Sequence, residues 1–164
     1  MAIQRLEISG FRSLADVVWE PGPLNVLIGP NGSGKSNLLR ALQLLKAAAE
    51  GNLSKTVRSW GGMAPLVWDG QAHTIKFNLR LGDPPLAYEL VMERLGQSGA
   101  FRVERELLTS YKLENDKVVR DFKFLERTSA QAAMFDFEQN YRWEIKADEL
   151  SEDESLLTEV PPTP

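Results

Sequence analysis

The sequence contains no cysteine among its 164 residues and only one histidine. These absences exclude disulfides, thiolate zinc sites and a cysteine nucleophile, and His73 has no partner ligand for a metal site. No run of eighteen apolar residues occurs, so no membrane-spanning helix is predicted. Residues 1–5 also lack the long apolar stretch of a signal peptide, which makes a cytoplasmic location the simplest expectation.

Charge is distributed unevenly along the chain, although the net charge is only −4. Residues 1–60 carry seven basic and four acidic groups, whereas residues 128–164 carry two basic and nine acidic groups. A nucleic-acid-binding domain usually presents a basic face. Only the first segment is basic overall, so charge does not support DNA binding by this chain. The acidic residues at 148–154 are expected to form a solvated face.

Hydrophobic periodicity in the first third of the chain predicts a hairpin, a buried strand and two helices. The predicted segments are 3–10 and 14–20 for the hairpin, 24–28 for the buried strand, and 36–49 and 53–60 for the helices. The apolar face of the first helix is predicted to comprise Leu38, Leu39, Leu42, Leu45 and Ala49.

After Gly62 the apolar residues recur with period two, which predicts antiparallel strands joined by short turns. The predicted strands are 73–81, 86–95, 101–108, 118–126, 131–137 and 142–147. The predicted fold class is therefore α/β, and α+β in part. Residues 1–150 are expected to form one lobe. Residues 151–164, acidic and then proline-rich, are expected to be a frayed tail or a truncation point.

Residues 29–36 read Gly-Pro-Asn-Gly-Ser-Gly-Lys-Ser, which fits the P-loop pattern G-x-x-x-x-G-K-[ST]. Its glycines let backbone N–H groups turn inward around a phosphate, and the following helix adds its positive dipole end. Lys35 places a cation against the terminal phosphates and is the predicted catalytic residue. The Ser36 hydroxyl is the expected magnesium ligand. The motif thus predicts binding of a nucleoside triphosphate, most simply ATP with Mg²⁺.

The flanking residues carry a resemblance to a known group. Residues 3–14 (IQRLEISGFRSL) and 24–39 (LNVLIGPNGSGKSNLL) resemble the start of SMC-like ATPases. That group includes SMC, RecF-type and OLD-type proteins and is related to the ABC transporter ATPases. Asn37 is typical of the group, whereas transporters usually have threonine there. Residues 58–62 and 154–157 also resemble a bacterial branch of SMC/RecF-like ATPases.

The resemblance implies a P-loop NTPase lobe with an ABC-ATPase-like antiparallel β-subdomain. In such proteins a C-terminal half supplies the signature motif, the Walker B aspartate, the catalytic glutamate and a switch histidine, and two heads enclose two ATP molecules. The implied partners are ATP, a C-terminal lobe of the same protein and a second copy in an ATP-dependent homodimer, with DNA possible and no membrane. The resemblance also places Arg12 near the phosphates. The predicted nucleotide contacts are Arg12, Gly29, Pro30, Asn31, Gly32, Ser33, Gly34, Lys35, Ser36 and Asn37.

The sequence departs from that pattern because it has no signature motif and no secure Walker B strand. Residues 66–69 come nearest, but Pro65 precedes them and Gly70 follows where glutamate is expected, so they are interpreted as a loop or strand end. No switch glutamine is assigned; residues 156–159, Gln131 and Gln139 are weak candidates. The chain is therefore expected to be an N-terminal fragment that binds nucleotide but hydrolyses it feebly or not at all.

Three functions stay open at this point. One is an SMC/RecF-like ATPase acting in DNA repair, recombination or chromosome segregation. The others are an ABC-type energy module for a protein partner and the ATPase part of an OLD-type nuclease. Fold alone does not choose among them. Kinases and GTPases fit less well, because they continue with alternating helices and parallel strands after the P-loop helix.

Overall fold

A single antiparallel sheet of eight strands dominates the computed structural model, which describes residues 2–97, 99–115, 117–136, 139 and 141–160. The strand order is β2-β1-β3-β4-β5-β6-β7-β8, so every strand after the first hairpin follows its predecessor in sequence. The strands are β1 (Ile3–Phe11), β2 (Leu14–Trp19), β3 (Thr74–Leu81), β4 (Leu86–Arg94), β5 (Phe101–Glu114), β6 (Lys117–Thr128), β7 (Ala132–Asp136) and β8 (Tyr141–Ile145). The helices are α1 (Lys35–Ala49) and α2 (Leu53–Ser59).

The sheet forms because its strands alternate between buried and exposed side chains. In β3, Ile75 and Phe77 are fully buried, and across the register they face Met92 and Leu90 of β4, which are also fully buried. Successive side chains of a strand point to opposite faces, so one face of the sheet is apolar and packs against α1. The predicted strands after Gly62 are thereby confirmed, with bounds shifted by a few residues; Phe137, within one of them, lies outside the described residues.

Helix α1 buries a different stripe from the predicted one, since Leu44 is fully buried as well. Leu38 and Leu45 are buried as expected, but Leu39 is 57% exposed. Small side chains fill the remaining contact with the sheet, because Ala41 and Ala48 are fully buried one helical turn from those leucines. The prediction is therefore wrong for Leu39 and for Ala49, which is also exposed. Among the described residues, neither helix is long and apolar enough to cross a membrane.

Residues 24–28 do not form the predicted buried strand. Leu24, Val26 and Ile28 are 84%, 72% and 90% exposed, and the segment has no regular secondary structure. A buried parallel strand needs hydrogen-bonded neighbours and covered faces. Within the described part of the chain no strand pairs with this segment. The expected α/β arrangement accordingly has no parallel pair there, and the described fold is an antiparallel sheet with two helices.

Residues 151–157, here named the strap, fold back onto the sheet. Val103 donates a backbone hydrogen bond of 2.7 Å to the Glu152 carbonyl, and the guanidinium of Arg127 donates to the carbonyl oxygens of Ser151 and Glu154. The expectation of a frayed tail is therefore wrong for residues 151–160. Residues 161–164 lie outside the described part of the chain.

The strap is held by a buried carboxylate. Glu106 of β5 is fully buried, and its carboxylate accepts hydrogen bonds from the Tyr88 hydroxyl (2.6 Å), the Ser155 hydroxyl (2.5 Å) and the Leu156 N–H (3.0 Å). Burial raises the pKa of Tyr88 well above its ordinary value, and the neighbouring Glu106 raises it further. Three donors converge on one carboxylate, so each would lose its partner if Glu106 were removed.

Glu106→Ala is expected to lower the free energy of unfolding by about 3 kcal/mol, because it leaves buried donors unpaired and an uncompensated Arg127 nearby. Equilibrium denaturation in urea measures this loss. The control is Glu126→Ala, which removes only a surface pair with Lys123 and should cost about 1 kcal/mol or less. Equal losses in the two variants would contradict the role given to Glu106.

Candidate nucleotide-binding site

The predicted P-loop lies on the surface between residues 24–28 and α1. Gly29, Pro30, Asn31, Gly32 and Ser33 are all exposed, and the loop leads directly into the first turn of α1. Gly32 and Gly34 have φ angles of 85° and 93°. Residues with a side chain rarely adopt such angles, so the glycines are required by the shape of the loop.

Several backbone amides of the loop have no protein partner. The Ser33 N–H donates to the Pro30 carbonyl at 3.3 Å. Among the described residues, the N–H groups of Gly32, Gly34, Lys35 and Ser36 make no hydrogen bond to protein. Helix α1 has no side-chain cap at Gly34 and no acidic residue in its first turn. Free amides and an uncompensated helix dipole together form a site for an anion.

Lys35 bridges the two ends of the loop. Its Nζ atom donates to the carbonyl oxygens of Gly29 (2.6 Å) and Pro30 (2.7 Å) and contacts Ser33 Oγ at 3.2 Å. All three oxygens are uncharged, so among the described residues no carboxylate neutralises the positive charge of Lys35. The Ser36 hydroxyl is exposed and makes no hydrogen bond within the described chain, which leaves it free to bind a metal ion.

The turn between β1 and β2 packs against the start of α1. Asn37 Nδ2 donates to Ser13 Oγ at 2.8 Å. A Cβ atom on Gly34 would lie 2.9 Å from Ser13 Oγ and 3.0 Å from Leu14 Cδ2, so the backbone of Gly34 touches that turn. Asn37 thus fastens the helix to the sheet through its side chain. Ser13 was absent from the predicted site; the only sequence signal for it was its place beside Arg12.

Arg12 occupies the same turn, with a φ of 51°. Its backbone N–H donates to the Leu66 carbonyl at 2.7 Å, and its guanidinium lies 5.9 Å from the ring centroid of Trp60. Partial burial lowers the pKa of Arg12, and the charge of Arg40 lowers it further. The Nε atom is buried with no hydrogen-bond partner, and no carboxylate pairs with Arg12 in the described chain. An anion at this position would relieve the repulsion between the two cations.

The remaining candidates from the sequence lie elsewhere or have structural roles. Residues 66–69 form no regular strand: Val67 makes an isolated bridge with Phe11, and a 3-10 turn follows at Trp68–Gly70, which confirms the interpretation as a loop. Gln131 and Gln139 adjoin β7, near the opposite edge of the sheet from β1 and β2. The 3-10 turn Leu157–Glu159 lies beside α1, away from its first turn, with Thr158 against Gly51.

The chain is similar to known ATPases and DNA-processing proteins. A family model described as an AAA ATPase domain matches residues 1–155. The DNA replication and repair protein RecF of Bacillus velezensis is 30% identical over 116 residues, which are 68% of this chain and 29% of that protein. An OLD nuclease of Thermus scotoductus is 44% identical over 43 residues, 26% of this chain and 8% of that protein.

An ABC-type protein also matches. The cytochrome c biogenesis ATP-binding export protein CcmA of Rhodospirillum rubrum is 51% identical over 53 residues, 32% of this chain and 20% of that protein. The chain thus spans less than a third of the length of each of these curated relatives. The family match covers nearly the whole chain and includes both the loop and the sheet. This chain belongs to the AAA ATPase domain family and is an SMC/RecF/OLD-like P-loop ATPase lobe.

Proposed function

We propose that this chain binds ATP with Mg²⁺ through residues 29–36. The observation that carries the proposal is the row of unpaired amides at Gly32, Gly34, Lys35 and Ser36, joined to the unneutralised ammonium of Lys35. A polyphosphate supplies the acceptor oxygens and the negative charge that these free N–H groups and this ammonium group do not find within the loop. Membership of an ATPase family supports nucleotide as the source of that polyphosphate.

Each loop residue then has a distinct part. The backbone N–H groups of residues 31–36, which include those of Asn31 and Ser33, surround the phosphates, whereas Pro30 has no N–H and serves only to shape the loop. Lys35 exchanges its carbonyl partners for phosphate oxygens. Bound Mg²⁺ neutralises phosphate charge and takes most of its ligands from phosphate and water, so a single protein hydroxyl, that of Ser36, fits its needs. Asn37 holds the first turn of α1, and Arg12 adds a second cation from the β1–β2 turn.

The chain, with the strap included, acts as the N-terminal lobe of a longer ATPase. The exposed apolar side chains of residues 24–28 support this, because such a segment gains hydrogen bonds and burial when strands of a C-terminal lobe flank it. A water-orienting carboxylate would come from that lobe, so the isolated chain hydrolyses ATP feebly or not at all. In the whole protein, two heads pair when ATP is bound.

DNA repair is the process that the proposal favours. The RecF relative aligns over more of this chain than the OLD nuclease or the export protein, and it is named for DNA replication and repair. The described chain itself contributes nucleotide binding rather than a basic DNA-binding face, since its net charge is −4. A protein partner or nuclease domain would use the same nucleotide site.

Lys35→Ala is expected to weaken ATP binding roughly 10- to 100-fold, because a charged hydrogen-bond donor to phosphate is lost. Isothermal titration calorimetry with ATP and Mg²⁺ measures the change. The matched control is Lys46→Ala, on the same helix but paired with Glu50 on the surface. If the two variants bound ATP equally well, the assignment of residues 29–36 as the phosphate site would be wrong.

Gly34→Ala tests the shape of the loop. The new methyl group would meet Ser13 and Leu14, and the φ of 93° is unfavourable for alanine, so we expect both the melting temperature and the ATP affinity to fall. The φ cost alone is about 1–2 kcal/mol. Gly22→Ala is the control, since its added Cβ meets only a carbonyl oxygen at 3.9 Å. A Gly34→Ala protein that matched Gly22→Ala in both measurements would refute the constraint.

A further inference from the structure

Two segments that resemble SMC/RecF-like ATPases, residues 58–62 and 154–157, lie at opposite ends of one short path through the structure. The path begins at the strap and passes along α2 to Trp60. It ends at Arg12, beside the first turn of α1. Neither segment contains a predicted phosphate ligand, so the nucleotide site described above leaves both unexplained.

The strap supplies the N-terminal cap of α2. The carboxylate of Glu154 accepts the backbone N–H groups of Leu53 (2.8 Å) and Ser54 (3.2 Å). The residue at the usual capping position, Asn52, makes no side-chain cap hydrogen bond. A cap that satisfies free amides and opposes the helix dipole stabilises a helix end. Here the cap comes from about a hundred residues further along the chain.

A second contact ties the strap to the next turn of α2. Asp153 Oδ2 accepts hydrogen bonds from Ser54 Oγ (2.6 Å) and from the guanidinium of Arg58 (2.7 Å). Burial by itself raises the pKa of Asp153, but the hydrogen bonds from Ser54 and Arg58 lower it overall. Asp153 and Glu154 of the strap therefore both act on α2, while Glu106 and Arg127 anchor the strap itself to the sheet.

The C-terminal end of α2 contacts Arg12. Trp60 is the C-terminal cap residue of α2, and its ring lies 5.9 Å from the Arg12 guanidinium. The chain after it is fixed by a close backbone contact, in which a Cβ on Gly62 would lie 2.6 Å from Gly99 Cα. A few residues later the Leu66 carbonyl accepts the Arg12 N–H. Arg12 is thus held by the segment that α2 positions.

We propose that Glu154 is a positioning residue for the nucleotide site, acting through α2 and Trp60 on Arg12. A seven-residue helix is marginal without external support. Loss of its cap therefore allows its ends to fray and Trp60 to leave the Arg12 guanidinium. The effect on nucleotide rests on the phosphate role given to Arg12 under the proposed function. The effect on α2 and Trp60 does not depend on nucleotide.

The first test is hydrogen exchange without nucleotide, on the unaltered chain, Glu154→Ala and Glu152→Ala. Glu152 is a matched control on the same strap, because its side chain is exposed and accepts no hydrogen bond from the described residues. We expect Glu154→Ala to speed exchange across residues 53–62 and at the Arg12 amide, and Glu152→Ala to leave both unchanged. Faster exchange confined to Leu53 and Ser54 would overturn the proposal.

The second test is a double-mutant cycle with Arg12→Ala, in which ATP affinity is measured by calorimetry. Glu154→Ala should weaken ATP binding roughly 2- to 30-fold, the range for residues that act through a network. It should have much less effect when Arg12 is already alanine, because interacting sites are not additive. Unchanged affinity, or an equal loss in both backgrounds, would contradict the link through Arg12.

A variant that fails to fold and a chain that fails to bind ATP have different consequences. If Glu154→Ala fails to fold, Glu154→Gln is measured instead, because glutamine keeps one acceptor oxygen. Smaller changes in the same direction support the proposal, and the absence of any change overturns it. If the unaltered chain does not bind ATP, the proposed function fails. The exchange experiment still decides whether Glu154 positions Trp60 and Arg12.

Discussion

The contact between the β1–β2 turn and the first turn of α1 is the constraint on which the candidate site depends. Gly34 approaches Ser13 and Leu14 so closely that a Cβ at this position would force their side chains to shift. The sheet holds the β1–β2 turn in place, because Phe11 packs against Phe77 of β3 with ring centroids 5.7 Å apart. The packing of this turn therefore positions the first turn of α1 and the free amides that lead into it.

Lys35 completes this preorganisation from the other side of the loop. By donating to the carbonyl oxygens of Gly29 and Pro30, it closes the loop into a ring around its free amides. Its partners are neutral, so a phosphate group competes for the ammonium with an electrostatic advantage.

Buried charge on the other side of the molecule serves a different purpose. Glu106 and Arg127 are almost fully removed from solvent, which costs free energy that their hydrogen bonds offset, although Arg127 Nε is buried without a partner among the described residues. Their partners include backbone groups of the strap, whose geometry they therefore specify. A purely apolar contact could bury as much surface but would allow the strap to slide. The polar contacts fix the strap residues that reach α2.

Much of the sheet could be predicted because its alternation is local. The candidate loop could be located because its glycines and lysine are contiguous, and its role as a phosphate site stays a prediction. Three features could not be predicted. The strap depends on pairs such as Glu154 with Leu53, far apart in sequence, and its acidic composition resembles a solvated tail. The exposure of Leu39 depends on alanines that pack in its place. The behaviour of residues 24–28 depends on neighbouring strands that the described chain does not supply.

The open backbone of residues 24–28 has a consequence for the solution behaviour of the chain. Unpaired N–H and C=O groups beside exposed aliphatic side chains form a template onto which other extended segments can add. Colloidal stability is therefore expected to fall with increasing protein concentration and to rise when residues 24–28 are covered. Solubility would then depend on this one short segment more than on the net charge.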